Sequence, residues 1–474
     1  MTRRPEDGAL AIVLHSHMPY VEGFGTWPFG EEWLWEAVAC VYLPLLDVLD
    51  GAPVTVGLTP VLCDQFEAMR GEAGDRYAGF LRDIRAPIHA EDAAGLDDTG
   101  EPVLAAEVRR AAADYTRADE AFEARGRDLL GGFAGLEGVE LWTSAATHGL
   151  LPLLATDAGV RLQVATGTAA HLRRFGDWGG GFWLPECAYV PGLERELADH
   201  GVRVVCVDQT SVAGFDHLSP VATEAGPVAV PIDWESVELV WCDKHGYPTH
   251  GTYRNYWGRT VHDLKPWNNA GEPYDHDAAL DLAHSHARDF VRRAAEKLAD
   301  GGLLCCALDT ELLGHWWYEG LHWLGAVFEE ARAQGVRLVT VSEGVEEAEP
   351  VARPLAPATW GRDKDFTTWD SPAVAELAFD ARAAELRTVA AVATHGAPHT
   401  ALERAARELL AMQSSDWSFM VTRDLAADYP LERMRVHAGS LDAALAALTD
   451  SAAAPDPSVR GLAPHLDLSP LTTP

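Results

Sequence analysis

The sequence predicts an α/β chain: a barrel-like parallel sheet with a helical insertion, followed by an α-helical domain. Three observations predict it. Short apolar, β-branched runs recur through about the first 345 residues, each closed by a polar residue or a Gly/Pro break, as suits strands covered on both faces of a parallel sheet. Helical spacing fills the stretches between them, and strands alternating with helices argue for α/β. Beyond about residue 350 the strand signals stop and helical spacing continues alone.

In chain order, "ALAIVLH" (9–15) is the first strand. "EEWLWEAVACVYLPLLDVLDG" (31–51) is a helix closed by Gly51. "VTVGLTP" (54–60) is the second strand, and residues 66–137, rich in Ala, Arg and Glu, read as an inserted helical layer. "GVELWTSAATH" (138–148), "GFWLPE" (181–186) and "VRVVCVD" (202–208) are further strands. Residues 209–276 hold many Trp, Tyr, Gly and His with weak periodicity, so they read as a long active-site loop region around the strand "VAVPID" (228–233). "DAALDLAHSHARDFVRRAAEKLADGG" (277–302) is a helix with a glycine cap, followed by the strands "LLCCALD" (303–309) and "VRLVTVSEG" (336–344). About seven or eight strand–helix units suggest a barrel over residues 1–350. Residues 351–450 form the C-terminal helical domain, and the Pro/Ala-rich 451–474 reads as a flexible tail.

Composition narrows the function. Lys+Arg 37 against Asp+Glu 72 leaves a formal charge of −35. Such a surface repels nucleic acid and anionic membranes and leaves neutral or cationic substrates open. The seven cysteines show no CxxC pair, the pattern of a reduced, cytosolic protein. The N-terminus has no apolar signal segment, and no apolar run reaches the roughly 18 residues of a membrane span.

In parallel barrels, polar residues just past the C-terminal strand ends build the active site. Here those ends supply His15 and His17, His148, Glu186, and then Asp309, Glu311 and His315. Each has a bland reading, as a hydrogen-bonded structural histidine or a helix cap; their recurrence at four strand ends favours a site. The sixteen tryptophans fall mostly in predicted loops and at strand ends. There their faces can stack on the C–H faces of sugars, although any single tryptophan is more often core. Two carboxylates among aromatic platforms fit glycosidic-bond chemistry, one attacking the anomeric carbon and the other handling the proton. Two further readings stay open. His15 and His17, with His148 and Asp309, would suit a metal-dependent hydrolase, and the aromatic surface alone would suit a non-catalytic glucan binder.

"HSHMPYV", "ELWTSAATHGLLPLL", "GFWLPECAY", "ALDTELLGHWW" and "MQSSDWSFM" together resemble the five ordered motifs of glycoside hydrolase family 57, most closely its 1,4-α-glucan branching group. The resemblance implies a (β/α)7 barrel, a helical insertion, a helical C-terminal domain, an α-glucan substrate and a retaining mechanism without cofactor or metal. It implies Glu186 as nucleophile and Asp309 as general acid/base. It implies His15, His17 and His148 as pocket histidines, and Trp33, Trp241, Trp360 and Trp369 as groove aromatics. Asp416 and Trp417 match the motif that closes over the cleft. Branching members carry a tyrosine-tipped lid loop after the nucleophile. Here the matching segment, "QTSVAGFDHLSPVATEAGPVAVPIDWE", is short and tyrosine-free, with His217 or Leu218 where the tip would fall. Without that lid, water competes with the sugar acceptor, so amylase-like hydrolysis or 4-α-glucanotransfer stands beside branching.

Overall fold

The computed structural model describes residues 8–212, 214, 216–396, 399–448 and 461–472. Ten strands lie in one sheet: β1 (Ala9–Ser16), β2 (Thr55–Leu58), β3 (Glu140–Ser144), β4 (Gly181–Trp183), β5 (Val204–Asp208), β6 (Val221–Ala222), β7 (Val228–Ile232), β8 (Leu303–Asp309), β9 (Arg337–Val339) and β10 (Val351–Ala352). Seven of them close a parallel barrel in the order β1-β2-β3-β4-β5-β7-β8, the (β/α)7 architecture expected from the sequence. Closure is uneven. β8 pairs with β1 from Ala9↔Leu303 to His15↔Asp309, whereas β7 meets β8 only at Ile232↔Cys305. All eight residues of β1 are buried, as a strand covered on both faces requires. Gly181 is needed for interior packing: a Cβ there would lie 1.9 Å from the Trp142 indole nitrogen.

The gap between β7 and β8 is filled by the segment that stands where branching members carry their lid. β6 pairs antiparallel with β7 at Val221↔Ala229, and the Leu218 carbonyl accepts from Leu303 N at 2.8 Å. Gly302 (φ 101°) sits so close that a Cβ would meet Leu218 Cβ at 2.8 Å. His217 Nε2 lies 3.4 Å from Asp233 Oδ1. His217 and Leu218 are therefore not a loop tip over the cleft. Backbone hydrogen bonding in the open barrel seam holds them in the wall instead.

Between β2 and β3 the chain forms helices Pro60–Ala68, Glu72–Gly79, Ala86–Asp98, Pro102–Ala124 and Leu129–Ala134. After the barrel, helices Ala375–His395, Thr400–Met412, Ser415–Thr422 and Tyr429–Ala446 pack around Leu409, Leu410, Trp417 and Leu441. This domain is docked on the barrel helix Asp157–Phe175 by buried polar contacts. Glu385 accepts from Thr156 Oγ1 at 2.6 Å and from Ala155 N at 3.0 Å, and Gln163 Nε2 donates to Gln413 Oε1 at 3.0 Å.

The tail departs from its expected looseness. Residues 449–460 lie outside the described residues, but 461–472 are packed: Leu462, Leu468 and Leu471 are buried in the same core as the helical domain. The Ala463 amide donates to Asp64 Oδ2 at 2.7 Å and the Gly461 amide to Tyr20 Oη at 3.2 Å. Leucines spaced to reach a groove overrode the proline-rich composition.

Candidate active site

The register of β1 and β8 sets His15 beside Asp309 at the C-terminal rim of the barrel. His17 follows one residue past β1, His148 four past β3 and Glu186 three past β4. Glu186 and His148 both hold left-handed backbone conformations (φ 59° each), costly for non-glycine residues and frequent where a side chain must be aimed. Each is pinned from later in the chain: Trp360 N donates to the Glu186 carbonyl at 2.9 Å, and Ser415 N to the His148 carbonyl at 3.1 Å.

The Glu186 carboxylate is held at both oxygens. Trp360 Nε1 donates to Oε2 and Ser415 Oγ to Oε1, each at 2.9 Å. Burial raises its pKa above the ordinary glutamate value, and these two donors oppose the rise. Asp309 is placed differently. Among the described residues no donor reaches its carboxyl, and burial followed by the charges of Glu311, Glu186 and Asp416 pushes its pKa well up. Glu311 accepts from the Tyr42 hydroxyl and from His17 N at 3.0 Å, and burial still raises it to about 7.

A stack of rings walls the site. His15 lies on Trp183 (4.5 Å) and on His148 (4.9 Å), and His148 on His17 (4.0 Å), all near parallel. Trp360 meets Trp183 edge-on at 5.0 Å. Burial and the neighbouring histidines hold His15 and His148 well below the ordinary histidine range, so both are neutral. Burial also acts to lower His17, but the charge and hydrogen bond of Asp416, 2.9 Å from its Nε2, raise it overall. Asp416 in turn falls to about 2, because His17 outweighs its burial. His15 Nδ1 and His148 Nε2 are buried with no hydrogen-bond partner within the protein.

Of the residues expected at the site, His15, His17, His148, Glu186, Asp309, Trp360 and Asp416 come together. Trp33 and His315 line a cavity of about 530 Å³ that Glu311 also lines. Burial, then the charge of Lys265, brings His315 down to about 4. Trp241 is half exposed at the end of the helix Trp234–Trp241, away from that cavity. Trp369 and Trp417 are 3% and 1% exposed. Trp369 packs under Gly361, next to Trp360, and Trp417 Nε1 donates to the Ala411 carbonyl at 2.7 Å. Both support the segments that carry site residues and present no face to the groove. Two contributors were not singled out from the sequence: Ser415, visible only as a hydroxyl beside Asp416, and Tyr42, inside a helix. His17, His148 and Asp416 each offer one atom that could ligate a cation, all within 4.8 Å of one another; His15 is not part of that group.

Comparison with known proteins places this arrangement. Residues 127–356 match glycosyl hydrolase family 57, and residues 379–459 match the C-terminal region of 1,4-alpha-glucan branching enzymes. The chain is 32% identical to the 1,4-alpha-glucan branching enzyme of Thermococcus kodakarensis, over 91% of this chain and 72% of that protein. The chain belongs to glycosyl hydrolase family 57. Its fold is also that of the family 57 branching enzyme of Pyrococcus horikoshii, with a TM-score of 0.92 at 28% identity, over 98% of this chain and 96% of that one. The alpha-amylase AmyC of Thermotoga maritima has the same fold, with a TM-score of 0.84 at 23% identity, over 99% of each chain.

Proposed function

We propose that the chain is a retaining 1,4-α-glucan branching enzyme: it cleaves an α-1,4 bond and passes the freed chain to a 6-hydroxyl. One observation carries the reading. Two partly buried carboxylates meet at the barrel rim in different surroundings: the pKa of both is pushed up, that of Asp309 well up, and only Glu186 has donors that oppose the rise, which supports Asp309 as the proton donor. Glu186, held by Trp360 and Ser415, whose donated hydrogen bonds favour its ionised form, is the nucleophile that attacks C1 of the donor sugar. Asp309, without donors and crowded by negative charge, keeps its proton and gives it to the leaving oxygen. In the second half it takes the proton of the incoming hydroxyl, which displaces Glu186 from C1. His15, His17, His148 and Asp416 hold hydroxyls of the donor sugar, and the cavity beyond Glu311, with Trp33 and His315, takes glucan on the proton-donor side. The name of the Thermococcus relative supports an α-glucan substrate. A reducing compartment belongs to the same proposal, since all seven cysteines are free and no helix among the described residues is long and apolar enough to cross a membrane.

The test is incubation with amylose followed by proton NMR of the product. New α-1,6 signals, insensitive to chelator, are expected. The Glu186→Gln variant should keep its fold and lose more than about a thousandfold of the turnover. Hydrolysis is the second reading. It is favoured by the position of residues 216–222, which lie in the barrel wall and cannot cover Glu186. New reducing ends without α-1,6 links would decide for it.

A further inference from the structure

Ser415 is where the C-terminal helical domain touches the reacting carboxylate. Its Oγ donates to Glu186 Oε1 at 2.9 Å and lies 2.9 Å from Nδ1 of His148. A serine hydroxyl has one proton to give, and a neutral imidazole carries one N–H. With the serine proton directed at Glu186, the second contact is made only if His148 donates from Nδ1. Nε2 is then a bare acceptor, and it is buried without a protein partner. The placement is built into the backbone. Ser415 N donates to the His148 carbonyl at 3.1 Å, and Gly149 bridges to Ser414 in antiparallel fashion. The left-handed turn at His148 and the serine hydroxyl are therefore positioned together.

We propose that Ser415 is a positioning residue that couples the nucleophile to the tautomer of His148, leaving Nε2 to accept a hydrogen bond from a hydroxyl of the donor glucosyl unit. The helical domain thus sets the hydrogen-bonding polarity of the pocket. His17, stacked on His148 and engaged by Asp416, cannot supply that acceptor, because its Nε2 faces the Asp416 carboxylate. His15 Nδ1 remains as a separate contact. The inference rests on the reading of Glu186 as nucleophile, yet its first readout needs no substrate.

Two measurements test it. Two-bond proton–nitrogen NMR of the full chain, labelled with ¹⁵N-histidine and assigned through His148→Gln, should show the Nδ1–H tautomer at His148. The Ser415→Ala variant should lose that preference and Ser415→Thr should keep it. On amylose, Ser415→Ala should lower kcat about 10- to 100-fold, the size typical of losing an orienting outer partner, with an unchanged melting temperature, and Ser415→Thr should recover most of the loss. An Nε2–H tautomer in the unaltered protein overturns the proposal, as does full kcat in Ser415→Ala. If the unaltered chain makes no α-1,6 links while the tautomer results hold, the branching reading fails and this one stands.

Discussion

Glu186 and Asp309 share a rim, a degree of burial and a chemical group, yet their surroundings differ. What separates them is their partners: two donors for Glu186, and three negative neighbours for Asp309. Glu311 is the first of those neighbours, which yields a prediction with a definite sign. Its negative charge raises the Asp309 pKa, so Glu311→Gln should lower it. The acid form of Asp309 would then be lost at lower pH, and the alkaline limb of kcat/KM should move down by about half a unit or more. The acid limb, set by ionisation of Glu186, should stay. An alkaline limb that stays or rises would remove Asp309 from the acid role. The rim positions of both carboxylates were legible in the sequence because each closes an apolar strand run. Ser415 was not, because its partners lie 229 and 267 residues away, and nothing in a local pattern reports them.

Most strands could be read from their apolar runs, and so could the helical insertion and the C-terminal helices. Two segments could not, for one reason: a short stretch of chain takes its structure from the groove it enters. Residues 216–222 looked like a loop and form part of the barrel seam, held by backbone bonds that any sequence can make. Residues 461–472 looked like a tail and are pinned by three buried leucines. That pinning predicts a stability effect far from the site. Leu462→Ala should cost about 2–5 kcal/mol, as for a leucine removed from a closed core. Leu172→Ala, at a position 45% exposed on the barrel helix beneath, should cost about 0.5 kcal/mol or less. Equilibrium denaturation measures both, and equal effects would mean that the segment is not part of the folded core.

Seen whole, the cleft is assembled from every part of the chain. The barrel supplies the carboxylates, the helical domain supplies Ser415 and Asp416, and the cavity beyond Glu311 is walled by the segment after β8, with His315 and Trp316, and by four further regions. Trp33 follows β1, Arg85 and Tyr115 come from the insertion, Tyr256 and Lys265 from the long loop, and Met420 from the helical domain. A cavity of about 530 Å³ falls within the range of small-ligand sites and admits a short run of sugar rings. An overall charge of −35 suits an uncharged polymer. Tryptophan abundance pointed to sugar but could not say which indoles face it: Trp142, Trp183, Trp317 and Trp323 fill the interior, whereas Trp27 and Trp316 stand exposed at the cavity. Trp316 lies 4.5 Å from Tyr256, a double platform that the proposed roles put on the proton-donor side, where the leaving and accepting chains would bind. Removing it should weaken acceptor binding more than chemistry. Trp316→Ala should raise the KM for maltooligosaccharide acceptors about five- to thirtyfold, as loss of about 1–2 kcal/mol of ring stacking would do. The kcat at saturating amylose should change less than about threefold. Chain-length analysis after debranching should show a shifted branch distribution, because the cavity no longer sets how far the acceptor is drawn in. An unchanged distribution with an unchanged acceptor KM would place the accepting chain elsewhere, on the Trp241 side of the rim.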